Sequence, residues 1–309
     1  MRTPFFKDSH PGIKIIFFLF TVVASISIFS IIGIIISVPL FGIDLSDFGN
    51  ALNINNPDNM PFIKYMQFIQ HFGIFVIPPI VAAYLFSENV LKYLKVRFDS
   101  GFILFLLAAS AVVFSVPFIN LSGFINAKLT LPESMSSLEL KIKAMESSAE
   151  KMTEAFLNVN TFGGYIVNLL LIALLPAIGE ELFFRGILLQ LLRDWTKSVH
   201  AAVLITAVLF SAVHFQFYGF LPRFLLGALF GYLFVWSGNI LMPVTAHFVN
   251  NALAVSLYYF AGGTEVYDKA DKFGVESSSL PFLFISVFVL IFIMYAFYKL
   301  SGKAKDYSY

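Results

Sequence analysis

From about position 13 to 43 the chain is almost wholly apolar, and seven further runs follow near 65–86, 101–121, 161–192, 198–217, 219–237, 240–262 and 279–300. An α-helix needs about 20 such residues to cross a bilayer. No water reaches backbone N–H and C=O groups there, so each run must satisfy its own hydrogen bonds as a helix. The pattern therefore predicts an all-α fold, a polytopic membrane bundle of about eight transmembrane helices. The first run is too long for a signal-peptide core and shows no small-residue cleavage site, so it is predicted to be a retained helix.

Composition agrees. Of the 309 residues, 58% are hydrophobic and 13% are charged, against about 25% charged in a soluble domain. A formal net charge of +1 provides no concentrated basic surface, which argues against a nucleic-acid partner. With no cysteine in the chain, thiol nucleophiles, disulfides and cysteine-ligated zinc are excluded.

Basic residues next to the spans set the expected orientation. Arg2, Lys7 and Lys14, then Lys92, Lys95 and Arg97, then Arg193 and Lys197, then Lys299, Lys303 and Lys305 fall on one side, while Lys64, Lys269 and Lys272 fall on the other. Both termini are expected to be cytoplasmic, in a bacterial inner membrane. The long polar stretch at 122–160 repeats Leu138, Ile142, Met145, Met152 and Phe156 at roughly helical spacing. It is expected to form an amphipathic helix lying on the membrane or the bundle, as a cover or a substrate gate. The expected division is 1–160 (N-terminal helices plus this segment), 161–262 (catalytic core) and 263–309 (last helix and basic tail).

Against this apolar background, "GEELFFRG" at 179–186 is anomalous. A charge at the centre of a membrane helix costs about 2.5–3.5 kcal/mol on insertion scales, so ionisable residues there usually face a bundle interior or a wet cavity. Glu181 and Arg185 are four apart, on one helical face and able to pair. Glu180 points about 100° away, leaving it available as a general base. Placement at a helix end, at the membrane interface, would account for the same charges. Two more apolar runs carry histidine: "FSAVH" sets Phe210 four residues before His214, and "HFVNN" sets His247 four before Asn251.

Together, "EELFFR" at 180–185, "FSAVH" at 210–214 and "HFVNN" at 247–251 match EExxxR, FxxxH and HxxxN in order. In this the chain resembles the intramembrane CPBP proteases, which include CAAX prenyl endopeptidases and bacteriocin-processing or self-immunity proteins. The resemblance covers about 161–262. It implies that Glu180 activates a water with help from His214, that His247 and Asn251 stabilise the oxyanion, and that Glu181, Arg185 and Phe210 support the site. HExxH, GxSG and GxGD motifs are absent, which sets aside other intramembrane protease types. Glu180, His214 and His247 could alternatively hold zinc as two histidines and a carboxylate, and the spacing leaves metal dependence open.

The expected function is intramembrane endopeptidase activity on a membrane-associated peptide or protein substrate, with the lipid bilayer as the other partner. Prenylated tails, leader peptides and membrane-protein segments would all meet the same residues. The alternatives are a transporter or channel component with a buried Glu–His relay, and a non-catalytic scaffold or immunity protein.

Overall fold

The computed structural model describes residues 4–302. Arg2, Lys303 and Lys305, used above for orientation, lie outside the described residues. Among those residues the fold is all-helical. The long helices, in chain order, are α1 (Pro11–Phe41), α2 (Pro57–Phe86), α3 (Phe102–Ala127), α4 (Ser136–Leu157), α5 (Phe162–Thr196), α6 (Val199–Ala212), α7 (Phe220–Ser237), α8 (Leu241–Ala261) and α9 (Leu280–Leu300).

Leaving out α4, these helices correspond to the eight apolar runs. Six of the spans are long and apolar enough to cross a membrane by themselves. Two fall short for physical reasons. α8 is 21 residues long, but His247, Asn250 and Asn251 dilute its apolar character. α6 is 14 residues long and ends at Ala212 rather than near 217 as its run suggested. Phe215 adopts a left-handed backbone with φ 52°, which a helix of L-residues cannot continue through. His214 therefore lies in the turn beyond α6 and not within a span.

The outer helices present apolar side chains to their surroundings. Ile16, Phe20 and Val23 on α1 and Phe284, Phe288 and Phe292 on α9 are all exposed. In water such surfaces would aggregate; in hydrocarbon they are at home. The chain is an integral membrane protein.

Two apolar clusters hold the middle of the bundle. One joins α1, α2, α5, α6 and α7 through residues such as Phe18, Phe86, Phe184 and Phe210. The other joins α3, α7, α8 and α9 through Val112, Phe230, Ala246 and Phe297. α7 belongs to both, and its closest neighbour is α6. Gly227 and Gly231, four apart, make that approach possible. A Cβ on Gly227 would lie 3.2 Å from the Ala207 Cα, and one on Gly231 would lie 2.9 Å from a Val203 methyl. Small residues at this spacing let membrane helices pack backbone to backbone. Gly227→Leu is accordingly expected to lower the melting temperature in detergent, at a cost of about 1–3 kcal/mol for overpacking. Gly163→Ala, where a Cβ meets nothing, serves as the control. Equal melting of the two variants would refute this account of the interface.

Of the 122–160 segment, 122–127 continue α3 and 136–157 form a separate helix, α4, whose apolar stripe is only partly covered. Phe156 is buried with Phe62, Ile63 and Met66, whereas Leu138 and Met145 are exposed. The first half of α4 is tied down by polar bonds instead. Glu139 Oε1 accepts from the Tyr218 hydroxyl at 3.2 Å, and Glu146 Oε2 from the Tyr218 N–H at 3.1 Å. Lys143 pairs with Glu139 at 2.8 Å and holds its carboxyl below the usual carboxylate range. Tyr218 stands in the same turn as His214.

Candidate active site

α5 is not a uniform helix. Wide π-helical turns at Leu169–Leu174 and Leu182–Leu189 flank the regular stretch Leu175–Glu181. Pro176, the second residue of that stretch, has no N–H to give, and the wide turn before it absorbs the missing bond. Gly179 lets α2 come close. A Cβ there would lie 2.8 Å from His71 Nε2 and 3.0 Å from Phe75 Cβ. α2 is itself widened at Phe72–Val76. Glu180 and Glu181 thus stand where α2, α5 and α8 meet.

Arg185 and Glu181 pair as their spacing predicts. Arg185 Nη1 donates to Glu181 Oε1 at 2.9 Å, and both side chains are 0% exposed. Full burial makes every remaining contact matter. Arg185 Nη2 donates to the Gly227 carbonyl at 2.6 Å, which ties the ion pair to the α6–α7 contact. The rings of Phe184, Phe210 and Phe230 surround the guanidinium, with centroids 5.9, 5.0 and 5.6 Å from its carbon. These cation–π contacts replace part of the lost hydration.

His247 completes the group from α8. Its Nδ1 lies 3.0 Å from Glu181 Oε1. The Glu181 carboxylate, paired with Arg185, accepts, and Nδ1 carries the proton. Nε2 is thereby turned toward Glu180, 3.9 Å from its Oε2, a gap too wide for a direct hydrogen bond. The imidazole is stacked on Phe230 at 5.1 Å with 19° between planes. Glu180 Oε2 is buried and has no hydrogen-bond partner. Isolated polar atoms of this kind are uncommon in folded proteins and call for an explanation.

The remaining candidates lie further out. His214 Nδ1 donates to the Phe210 carbonyl at 2.8 Å. The Phe210 ring stands between the two imidazoles, its centroid 5.3 Å from His214 and 5.8 Å from His247. Asn251, one turn beyond His247, gives one amide hydrogen to the Ile172 carbonyl at 3.1 Å, and its Oδ1 accepts from Asn250 at 3.1 Å. The structure therefore gathers Glu180, Glu181, Arg185 and His247 closely, sets His214 one ring away, and places Asn251 against α5.

The metal alternative can be tested on the donors themselves. Among the described residues no three His, Asp or Glu side chains come together as a metal site. His247 is engaged by Glu181 through one nitrogen, and His214 stands behind Phe210. Glu180, His214 and His247 as arranged do not fit zinc.

Two residues here were not singled out from the sequence. His71 is buried against Gly179 with Nε2 unpartnered. Arg223, in the first turn of α7, lies in the electrostatic surroundings of Glu180 and His214. The available signal was the same one that exposed Glu180, an ionisable residue inside an apolar run.

Residues 162–253, from the start of α5 into α8, match the family described as type II CAAX prenyl endopeptidase Rce1-like. The match is confined to this segment. The Rce1-like segment includes every residue of the cluster just described except His71. Among curated proteins, the chain is 32% identical to "Uncharacterized protein YpbD" of Bacillus subtilis (strain 168) over 92 residues, which is 28% of this chain and 44% of that one. It is 37% identical to an "Uncharacterized 24.3 kDa protein" of Escherichia coli over 112 residues, 34% of this chain and 50% of that one. The matches thus span about half the length of each relative. No solved structure matches the chain.

Proposed function

We propose that the chain is an intramembrane endopeptidase that hydrolyses a peptide bond of a membrane-associated substrate with water activated by Glu180. The observation that carries this reading is the buried, unpartnered Glu180 Oε2 beside His247 Nε2, inside a segment that matches a protease family. A buried carboxylate oxygen with no hydrogen-bond partner in the protein is well suited to accept a proton from water. Glu180 takes that proton as the water oxygen adds to the peptide carbonyl, with His214 assisting. Glu181 and Arg185 hold His247 in place. His247, through its Nε2 edge, and the second amide hydrogen of Asn251 stabilise the oxyanion.

Residues 161–262 form the catalytic core in this reading. The earlier helices supply support through α2, and 263–309 add the last helix. The lysine and arginine distribution supports cytoplasmic termini, and the two bacterial relatives support a bacterial inner membrane. Prenylated C-terminal tails are the substrate class to try first, given the family description.

Purified protein in proteoliposomes should cleave a lipidated C-terminal peptide at one bond, with products identified by mass. Activity is expected to survive exhaustive treatment with a strong chelator, because the donors do not form a metal site. Activity lost to the chelator and restored by zinc would refute the metal-free reading. Ion flux in the absence of peptide cleavage would overturn the peptidase assignment in favour of a buried relay.

A further inference from the structure

The first turn of α7 carries a cation that the mechanism above does not use. Arg223 is half-buried, and its Nη2 donates to Gln216 Oε1 in the turn beyond His214. Its Nη1 is buried and has no hydrogen-bond partner. Nη1 packs against Gly219, where any Cβ would overlap it. The head group is therefore anchored through Nη2, while Nη1, held against Gly219, has hydrogen-bonding capacity left over. The charged and titratable groups around it are Glu146 on α4, whose influence on it is the larger, then Glu180 on α5, and His214 in the turn after α6. Glu146 Oε2 accepts from the Tyr218 N–H at 3.1 Å.

We infer that Arg223 binds an anionic oxygen of the peptide substrate beside Glu180. This rests on the peptidase reading and deepens it. A guanidinium is always charged, and its rigid fork matches a carboxylate or a developing oxyanion better than any other side chain does. The donors carried over from the resemblance are partly spent. Asn251 gives one amide hydrogen to Ile172, and His247 Nδ1 is held by Glu181. Arg223 Nη1, like His71 Nε2 and Arg185 Nε, is a buried nitrogen near the site with no hydrogen-bond partner, and of the two guanidiniums Arg185 is already held by Glu181 and the Gly227 carbonyl. Water addition sends the C=O π pair onto the carbonyl oxygen while the water proton passes to Glu180. When the C–N bond breaks, that pair returns and the departing amine takes the proton. Arg223 holds the negative oxygen in between and neither gains nor loses a proton. The terminal carboxylate of a substrate presents the same chemistry, so the oxygen has two possible sources.

The test uses the full chain in detergent and one fluorogenic peptide, prepared as the free acid and as the C-terminal amide. Wild type, Arg223→Gln, Arg223→Lys and, as a reaction control, Glu180→Gln are compared for kcat, KM and melting temperature. If the oxygen is the oxyanion, Arg223→Gln lowers kcat about 10²-fold or more on both peptides with little change in KM. If it is the terminal carboxylate, KM rises at least tenfold on the free acid only, and the amide is cleaved as by wild type. Either result upholds the inference. Wild-type kcat and KM on both peptides in folded Arg223→Gln would overturn it. Should Arg223→Gln fail to fold, Arg223→Lys decides, since a point charge without the fork is expected to lose about tenfold or more; wild-type constants there also overturn it. Active wild type, inactive Glu180→Gln and unaffected Arg223 variants would reject this inference alone. An inert wild-type protein would reject the peptidase reading along with it.

Discussion

Glu180→Gln is expected to abolish peptide hydrolysis, a loss of at least the roughly 10²–10⁴-fold that a general base contributes, while the protein melts no lower than wild type. The two halves of this result have one cause. Glutamine keeps the shape of the side chain but cannot take a proton from water. It also removes a carboxylate oxygen that is buried with no hydrogen-bond partner, and such an atom costs stability rather than providing it. A purely structural glutamate predicts the opposite pairing, with retained activity per folded molecule and a lower melting temperature. Turnover and thermal melting on the same detergent-solubilised samples distinguish the two. Wild-type turnover in Glu180→Gln would remove the base from the mechanism.

Helix number and placement were legible in the sequence because the bilayer allows few solutions. An apolar run of sufficient length must become a helix, and α1, α3 and α9 follow their runs closely. The end of α6 was not legible. Nothing in "SAVHFQFYG" announces that Phe215 takes a left-handed backbone, and hydropathy alone carried the run to 217. The Glu181–Arg185 pair was legible because it is local, set by four-residue spacing on one helix. Contacts between helices were not. The His247 bond to Glu181 spans 66 positions and depends on how α5 and α8 are aligned in depth, which straight helices would have made unequal. The wide turns in α5 and α2 change that alignment, and they leave no clear compositional mark. Gly227 and Gly231 did show the small-residue spacing of a close helix contact. Their consequence, a carbonyl offered to Arg185, appears only when α5 and α7 are packed.

The second large effect concerns the buried pair itself. Glu181→Gln and Arg185→Gln are each expected to lower expression and melting temperature, by about 3–5 kcal/mol, because each leaves a charge buried without its partner. The two losses should not be equal. In Arg185→Gln the Glu181 carboxylate still accepts from His247 Nδ1 at 3.0 Å. In Glu181→Gln the Arg185 guanidinium cannot shed its charge. It keeps only the Gly227 carbonyl, the three ring faces and a neutral amide. Glu181→Gln is therefore the more destabilising of the two. The double variant removes both charges at once and should recover part of the loss, with a coupling of about 1–3 kcal/mol in the double-mutant cycle. Thermal melting of the four proteins in one detergent provides the cycle. A double variant that melts no higher than either single would show that the pair, although 2.9 Å apart and fully buried, does not act as an energetic unit. Arg185→Gln proving the more harmful single would shift the main role of Arg185 from balancing Glu181 to holding the Gly227 carbonyl, and with it the α6–α7 contact on which His214 and Phe210 depend.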